Sequence, residues 1–146
     1  MKVLLQHAHI IDPSSPYHRT TNDIFIDAGI ITKIDASVDQ QADHVVSGEN
    51  LHVSPGWLDV FANFGDPGYE FKESLETGAA AAAAGGFTDV FVIPNTKPVI
   101  DTKSQVEYIR RKSESLPVNI YPIGAVSKNT EGKDLAEMYD MLASGA

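Results

Sequence analysis

Cysteine is absent from the sequence, which excludes disulfides and thiolate metal sites and fits a reducing compartment such as the cytoplasm. Basic residues are scarce: 11 Lys and Arg stand against 20 Asp and Glu, a net charge of -9. A surface of that sign does not neutralise phosphates, so nucleic acid is not an expected partner. The one basic cluster, Arg110-Arg111-Lys112, lies in an expected amphipathic helix beside Glu107 and Glu114 and reads as a solvated face. Long apolar runs are missing as well. The start of the chain, Met1-Lys2-Val3-Leu4-Leu5-Gln6-His7, is too briefly apolar for a signal sequence or a membrane span, and no membrane association is expected. No Gly-x-Gly-x-x-Gly or Walker-type phosphate loop follows a strand, and nothing marks a Ser-His-Asp arrangement.

What is present divides into two patterns. The segment from Met1 to His52 reads as all-β. Strands are expected at Lys2 to Ile11, at Asn22 to Asp27 paired with Ile30 to Ile34 across the turn Asp27-Ala28-Gly29, and at Ala42 to Val46. Residues 1–53 are accordingly expected to be the N-terminal part of a small β-sandwich. Within it, His7 and His9 have the i, i+2 spacing that puts two side chains on one face of a strand, which would permit a shared ion. No further ligands cluster near them in sequence, so they read as surface or sandwich-edge histidines; His18, His44 and His52 are isolated.

From Ser54 the pattern changes to strand-helix alternation. Trp57 to Phe64 is an apolar run between two Pro/Gly breaks, and alternation predicts that Asp59, Phe61 and Asn63 point the same way. A helix is expected over Glu70 to Ala84, rich in alanine and stopped by Gly85-Gly86. A strand follows over Phe87 to Pro94, then a helix capped by Asp101 or Thr102, with Thr102 and Gln105 at capping-box spacing, and ended by Pro117. Val118 to Val126 is a third strand, and Gly132 to Ser144 a third helix whose apolar stripe is Leu135, Met138, Met141 and Leu142. The fold class is therefore α/β. Residues 54–146 are expected to form about three βα units of a TIM-type barrel, incomplete here because a full barrel takes about 250 residues and the chain has 146. Active-site residues of such barrels sit at the C-terminal ends of the strands.

The motifs Pro55-Gly56-Trp57-Leu58-Asp59, Asp66-Pro67-Gly68-Tyr69-Glu70-Phe71-Lys72-Glu73, Thr77-Gly78-Ala79, Ala84-Gly85-Gly86-Phe87-Thr88 and Pro94-Asn95-Thr96-Lys97-Pro98-Val99 together resemble dihydroorotase, a family of metal-dependent cyclic amidohydrolases. The resemblance implies a zinc-dependent hydrolase of pyrimidine biosynthesis. It also shows three departures. The metal-binding His-x-His of the family is replaced by Phe61-Ala62-Asn63, the arginine that takes the substrate carboxylate by Gly65, and a glutamate before Pro-Gly by Asp66. Asp59 matches an aspartate that orients a metal ligand in the family, and here reads as structural. Asn95 matches an asparagine that contacts substrate, and is the one substrate-binding candidate. Its other reading is a turn residue after Pro94. Glu70 and Glu73 read as helix N-terminal charges.

The implied function is that of a dihydroorotase homologue without catalytic or metal residues of its own in this chain, impaired or inactive. As in some members resembling it, it would serve as a homo-oligomeric scaffold for aspartate transcarbamoylase. Two alternatives stay open: an active zinc enzyme whose ligands come from beyond residue 146, and a small non-enzymatic α/β binding domain.

Overall fold

Strand β1 (Lys2–Ile10) sits at the centre of the first of two compact units, Met1–Pro55 and Gly56–Ala146, into which the computed structural model of residues 1–146 divides. Along one edge β1 pairs antiparallel with β2 (Thr21–Asp27), which pairs with β3 (Ile30–Asp35). Along the other it runs parallel to β4 (His44–Val46) and β5 (His52–Val53). The result is one mixed five-stranded sheet of order β3-β2-β1-β4, with β5 also on β1.

Two small apolar clusters form around this sheet. Leu4 and its cross-strand partner Phe25 pack with Val38, while Ala8, Ile10 and Ile24 pack with Leu5. A register shift between Leu5 and Ala8 makes this possible, because three residues of β1 span two of β2. The extra residue brings Ala8 onto the face of Leu5, where plain alternation would have turned it to the other side.

That bulge corrects the reading of the histidines. His7 lies in it with φ 54, its N–H donated to Asp23 Oδ1 at 2.9 Å, so the alternation that would align it with His9 is interrupted. His9 instead meets His52 edge to face, with ring centroids 5.2 Å apart.

The second unit has three parallel strands in the order β6 (Trp57–Ala62), β7 (Phe87–Val92) and β8 (Asn119–Pro122). Helices α1 (Leu75–Ala84) and α2 (Lys103–Ser113) connect them, and a short α3 (Met138–Ala143) follows. Val90, Val92 and Ile120 of the sheet are buried against Leu75, Ala79, Val106 and Ile109 of the helices. On the opposite face Phe91 stacks on Tyr121 at 5.2 Å.

Two expected helices are shorter than the sequence pattern implied, and the cap of a third differs. Helix α1 starts at Leu75 and not Glu70, because Ser74 and Thr77 form a reciprocal capping box and the residues before them fold back in turns, Tyr69 N–H donating to Gly65 O at 2.6 Å. Thr102 is the N-cap of α2, but its hydroxyl faces the side chains of Ser104 and Gln105 and makes no bond to the helix backbone. The third helix covers only Met138–Ala143. The segment before it is drawn into a loop closed by the Ser127–Leu135 bridge and by Ala136 N–H donating to Val126 O at 2.9 Å. Of the expected stripe only Met141 is buried; Leu135, Met138 and Leu142 are exposed.

Close approach of α1 to the chain after β6 depends on Gly78. A Cβ there would lie 2.6–2.7 Å from three atoms of the Phe64 ring. Gly78→Ala is therefore expected to lower stability by about 1–3 kcal/mol through overpacking, despite alanine's better helix propensity. Adding Phe64→Leu to the same chain should recover part of the loss, and thermal denaturation of the single and double variants checks this.

Candidate active-site loop

At the C-terminal end of β6 the register departs from simple pairing. Asp59 stands opposite Val90 and Ala62 opposite Val92, so three residues again face two. Asp59 holds the irregularity with its own side chain, Oδ1 accepting the Phe61 N–H at 2.9 Å. Asp59 and Ala62 thus share a face, which corrects the expectation that Asp59, Phe61 and Asn63 point one way. Phe61 and Asn63 flank the buried Ala62 and turn to the side away from the helices, where Phe61 is 73% exposed.

These two positions do not fit a zinc ion. A phenyl ring has no lone pair to donate, and an amide oxygen is a hard, weak ligand that suits calcium or magnesium better. Nor do any three His, Asp or Glu side chains of the chain come together where they could hold a metal.

The loop that follows, 64–73, is organised around Asp66, whose side chain is fully buried. Its Oδ1 accepts the Tyr108 hydroxyl at 2.8 Å; its Oδ2 accepts Lys112 Nζ at 2.5 Å and the Leu75 N–H at 3.3 Å. Burial alone would push this carboxyl up, but the ammonium, the phenol and the backbone donor outweigh it and hold the group below the usual carboxylate range. Burial likewise opposes the charge on Lys112, yet Asp66 and Tyr108 raise its affinity for a proton above the ordinary lysine value. The Tyr108 phenol is also raised, by burial and by Asp66. Lys112 has a second carboxylate within reach, Glu76 at 3.4 Å.

The basic cluster is therefore not the solvated face that the sequence implied. Lys112 neutralises Asp66. Arg110 donates to Ile120 O at 2.8 Å and lies over the Tyr121 ring, and only Arg111 is left exposed. The Asp66 contacts span more than forty residues and had no local signature. One signal was available: Tyr108 and Lys112 are four apart on a helix and so lie on one face.

Asp66 is consequently not paired with Glu70 or Glu73 as an acid and base. Glu70 precedes α1 by five residues and accepts the Gly68 N–H at 2.8 Å, while Glu73 accepts the hydroxyl of Thr77. Both serve the loop, and Glu70 has no helix N-terminus to complement.

Asn95 is exposed in the turn after β7. Beside it, buried Thr96 donates its hydroxyl to Pro98 O at 2.8 Å. Lys97 N–H donates to Pro67 O at 2.8 Å, and Gly68 approaches so closely that a Cβ would lie 2.0 Å from Lys97 O. The loops after β6 and β7 are thereby tied to each other. At Gly65 a Cβ would meet Tyr69 O at 2.7 Å and Glu73 O at 3.2 Å, so the backbone of the loop fills the space a side chain there would take.

Comparison with known structures first defines the class. The chain superposes on L-hydantoinase (dihydropyrimidinase) from Arthrobacter aurescens with a TM-score of 0.77 at 22% identity, over 99% of this chain and 31% of that one. It superposes on a dihydroorotase with a TM-score of 0.62 at 16% identity, over 88% of this chain and 32% of that one. The chain shares the fold of the corresponding parts of these two proteins.

The family model described as Dihydro-orotase-like matches residues 51–146, and the chain belongs to that family. Dihydroorotases from Ruminiclostridium cellulolyticum and Geotalea daltonii are 37% and 40% identical to it, over 100% and 99% of this chain and 34% of each relative. The dihydroorotase of Aquifex aeolicus is 34% identical over 99% of the chain, again 34% of that protein. The chain thus spans about a third of the length of the curated relatives it matches.

Proposed function

We propose that the intact protein is a dihydroorotase homologue of pyrimidine biosynthesis in which hydrolysis of the cyclic amide is impaired or lost, and which acts as a non-catalytic, homo-oligomeric scaffold for aspartate transcarbamoylase in the cytoplasm. The observation that carries this reading is the chemistry at the end of β6, where Phe61 and Asn63 offer no pair of zinc ligands on the face turned away from the helices. The crowded Gly65 supports it, since no side chain fits there to grip a carboxylate. In this reading the three βα units are the front of an eight-fold barrel. Asn95 remains a substrate contact by position only.

The test is steady-state hydrolysis of dihydroorotate by the intact protein purified with added zinc, with metal content assayed in the same sample. The expected result is no turnover above background and no stoichiometric zinc. Turnover at ordinary enzyme rates, about 1–1000 per second, would overturn the reading and show that ligands from outside this chain suffice.

A further inference from the structure

We propose that Lys112 and Tyr108 are positioning residues that latch the loop 64–73 onto α1 and α2, so that the end of β6 is closed by a fixed wall and not by a mobile ligand-holding arm. This deepens the reading of the loop as part of an altered site and rests on it. Contacts of different kinds converge on four of the ten loop residues, Gly65 to Gly68. The buried Asp66 carboxylate joins the loop to α2 through Tyr108 and Lys112, and to the first residue of α1 through the Leu75 N–H. Pro67 O takes the Lys97 N–H from the neighbouring loop. Gly68 lies against the Lys97 backbone, and Gly65 against Tyr69 O and Glu73 O.

A loop that opens to receive a ligand is drawn from the weakly held parts of a structure, with few buried contacts. This one has its anchor side chain wholly out of solvent and both anchor oxygens occupied. The latch has a fixed hand: Lys112 reaches Asp66 from the last turn of α2, and Tyr108, one turn earlier, closes the other oxygen. The tip is by contrast free, Phe71 being 81% exposed beside Tyr69 and Lys72. The tip supplies a reporter, since a protease needs the surrounding residues to open before it can cut there.

The experiment is chymotryptic cleavage after Phe71 in the intact protein under native conditions. Lys112→Met is expected to speed that cut at least about tenfold by raising the open population, and Tyr108→Phe, which keeps the ring, by a smaller factor of about 2–5. Lys112→Arg, which keeps the charge, should restore most of the protection. Met141→Ala, a cavity in the core of the same unit, is the control: it should lower the stability of that unit while speeding the Phe71 cut less than Lys112→Met does. Unchanged cleavage in Tyr108→Phe and Lys112→Met, or equal acceleration in Met141→Ala, would overturn the latch. Turnover of dihydroorotate by the wild-type protein would overturn the proposed function and leave these cleavage rates as they are.

Discussion

Lys112→Met is expected to destabilise the second unit by about 3–5 kcal/mol at pH 7, because it leaves a carboxylate with no solvent exposure and no cation. Asp66→Asn should cost less. It removes the same ion pair but leaves Lys112, which is partly exposed, with Glu76 still at 3.4 Å as a partner. The two variants therefore separate the cost of an orphaned buried charge from the value of the pair itself.

The pH dependence carries a sign that distinguishes the mechanism. In the wild type the Asp66 carboxyl is held low, so its contribution is present above the unfolded value of about 3.9 and is lost as pH falls through the lower folded value. Lys112 is held high, so its contribution is present below its unfolded value and is lost only as pH rises through the folded one. Between these limits the pair is flat with pH. In Lys112→Met only the Tyr108 hydroxyl and the Leu75 N–H are left to oppose burial, and the Asp66 carboxyl is expected to rise above its unfolded value. The penalty is then present at neutral pH and relieved as the solution is acidified and the group protonates. Chemical denaturation at pH 7 and pH 4.5 should accordingly show a smaller gap between wild type and Lys112→Met at the lower pH. An equal gap at both would mean that Asp66 is hydrated or otherwise compensated in the variant.

The order of strands and helices was legible in the sequence because it follows from periodicity and punctuation. The apolar run Val90 to Ile93 gave a strand, and Gly85-Gly86 gave the stop of α1, where Gly85 is the C-cap. Periodicity failed where a long-range contact competed with it. Leu135 fits a helical stripe with Met138 and Met141, yet pairing with Ser127 takes it into a loop and leaves it exposed. The two bulges were illegible for a related reason. A single extra residue leaves the composition of a strand unchanged but reverses which side chains share a face, as at His7 and between Asp59 and Ala62. At the site, the chemical content of Phe61, Asn63 and Gly65 could be read directly. The burial of Asp66 could not, because its partners come from a helix more than forty residues away. Nor could the sequence say that Gly65 is walled in by its own loop, which depends on the turn from Gly65 to Tyr69.

The same logic of a buried acid serving the backbone sets the largest expected effect in the first unit. Asp23 is 4% exposed and makes no ion pair with a lysine or arginine; it accepts the His7 N–H at 2.9 Å and the Val38 N–H at 3.1 Å. One donor is the bulge residue that lets β1 switch faces, and the other anchors the segment that carries Val38 onto Leu4 and Phe25. Asp23→Ala removes the acceptor for both. The Val38 donor is buried, so its lost hydrogen bond costs about 1–3 kcal/mol, while the part-buried His7 N–H regains some of its bonding from water; the expected loss is about 2–4 kcal/mol. Asp23→Asn keeps one acceptor oxygen and loses the charge, so about half of that loss is expected. The His7 N–H, opposed by burial and aided by the Val38 N–H, holds the Asp23 carboxyl below its usual range. Its contribution is therefore present above about pH 3.9 and fades as pH falls through the folded value. Both variants should lose this part of the acid dependence. Hydrogen exchange is the sharper measurement: Asp23→Ala should deprotect the amides of His7 and Val38 first, while those of Leu75 and Val92 in the second unit keep their wild-type rates. Uniform deprotection of both units would mean that Asp23 supports the whole chain and not the bulge.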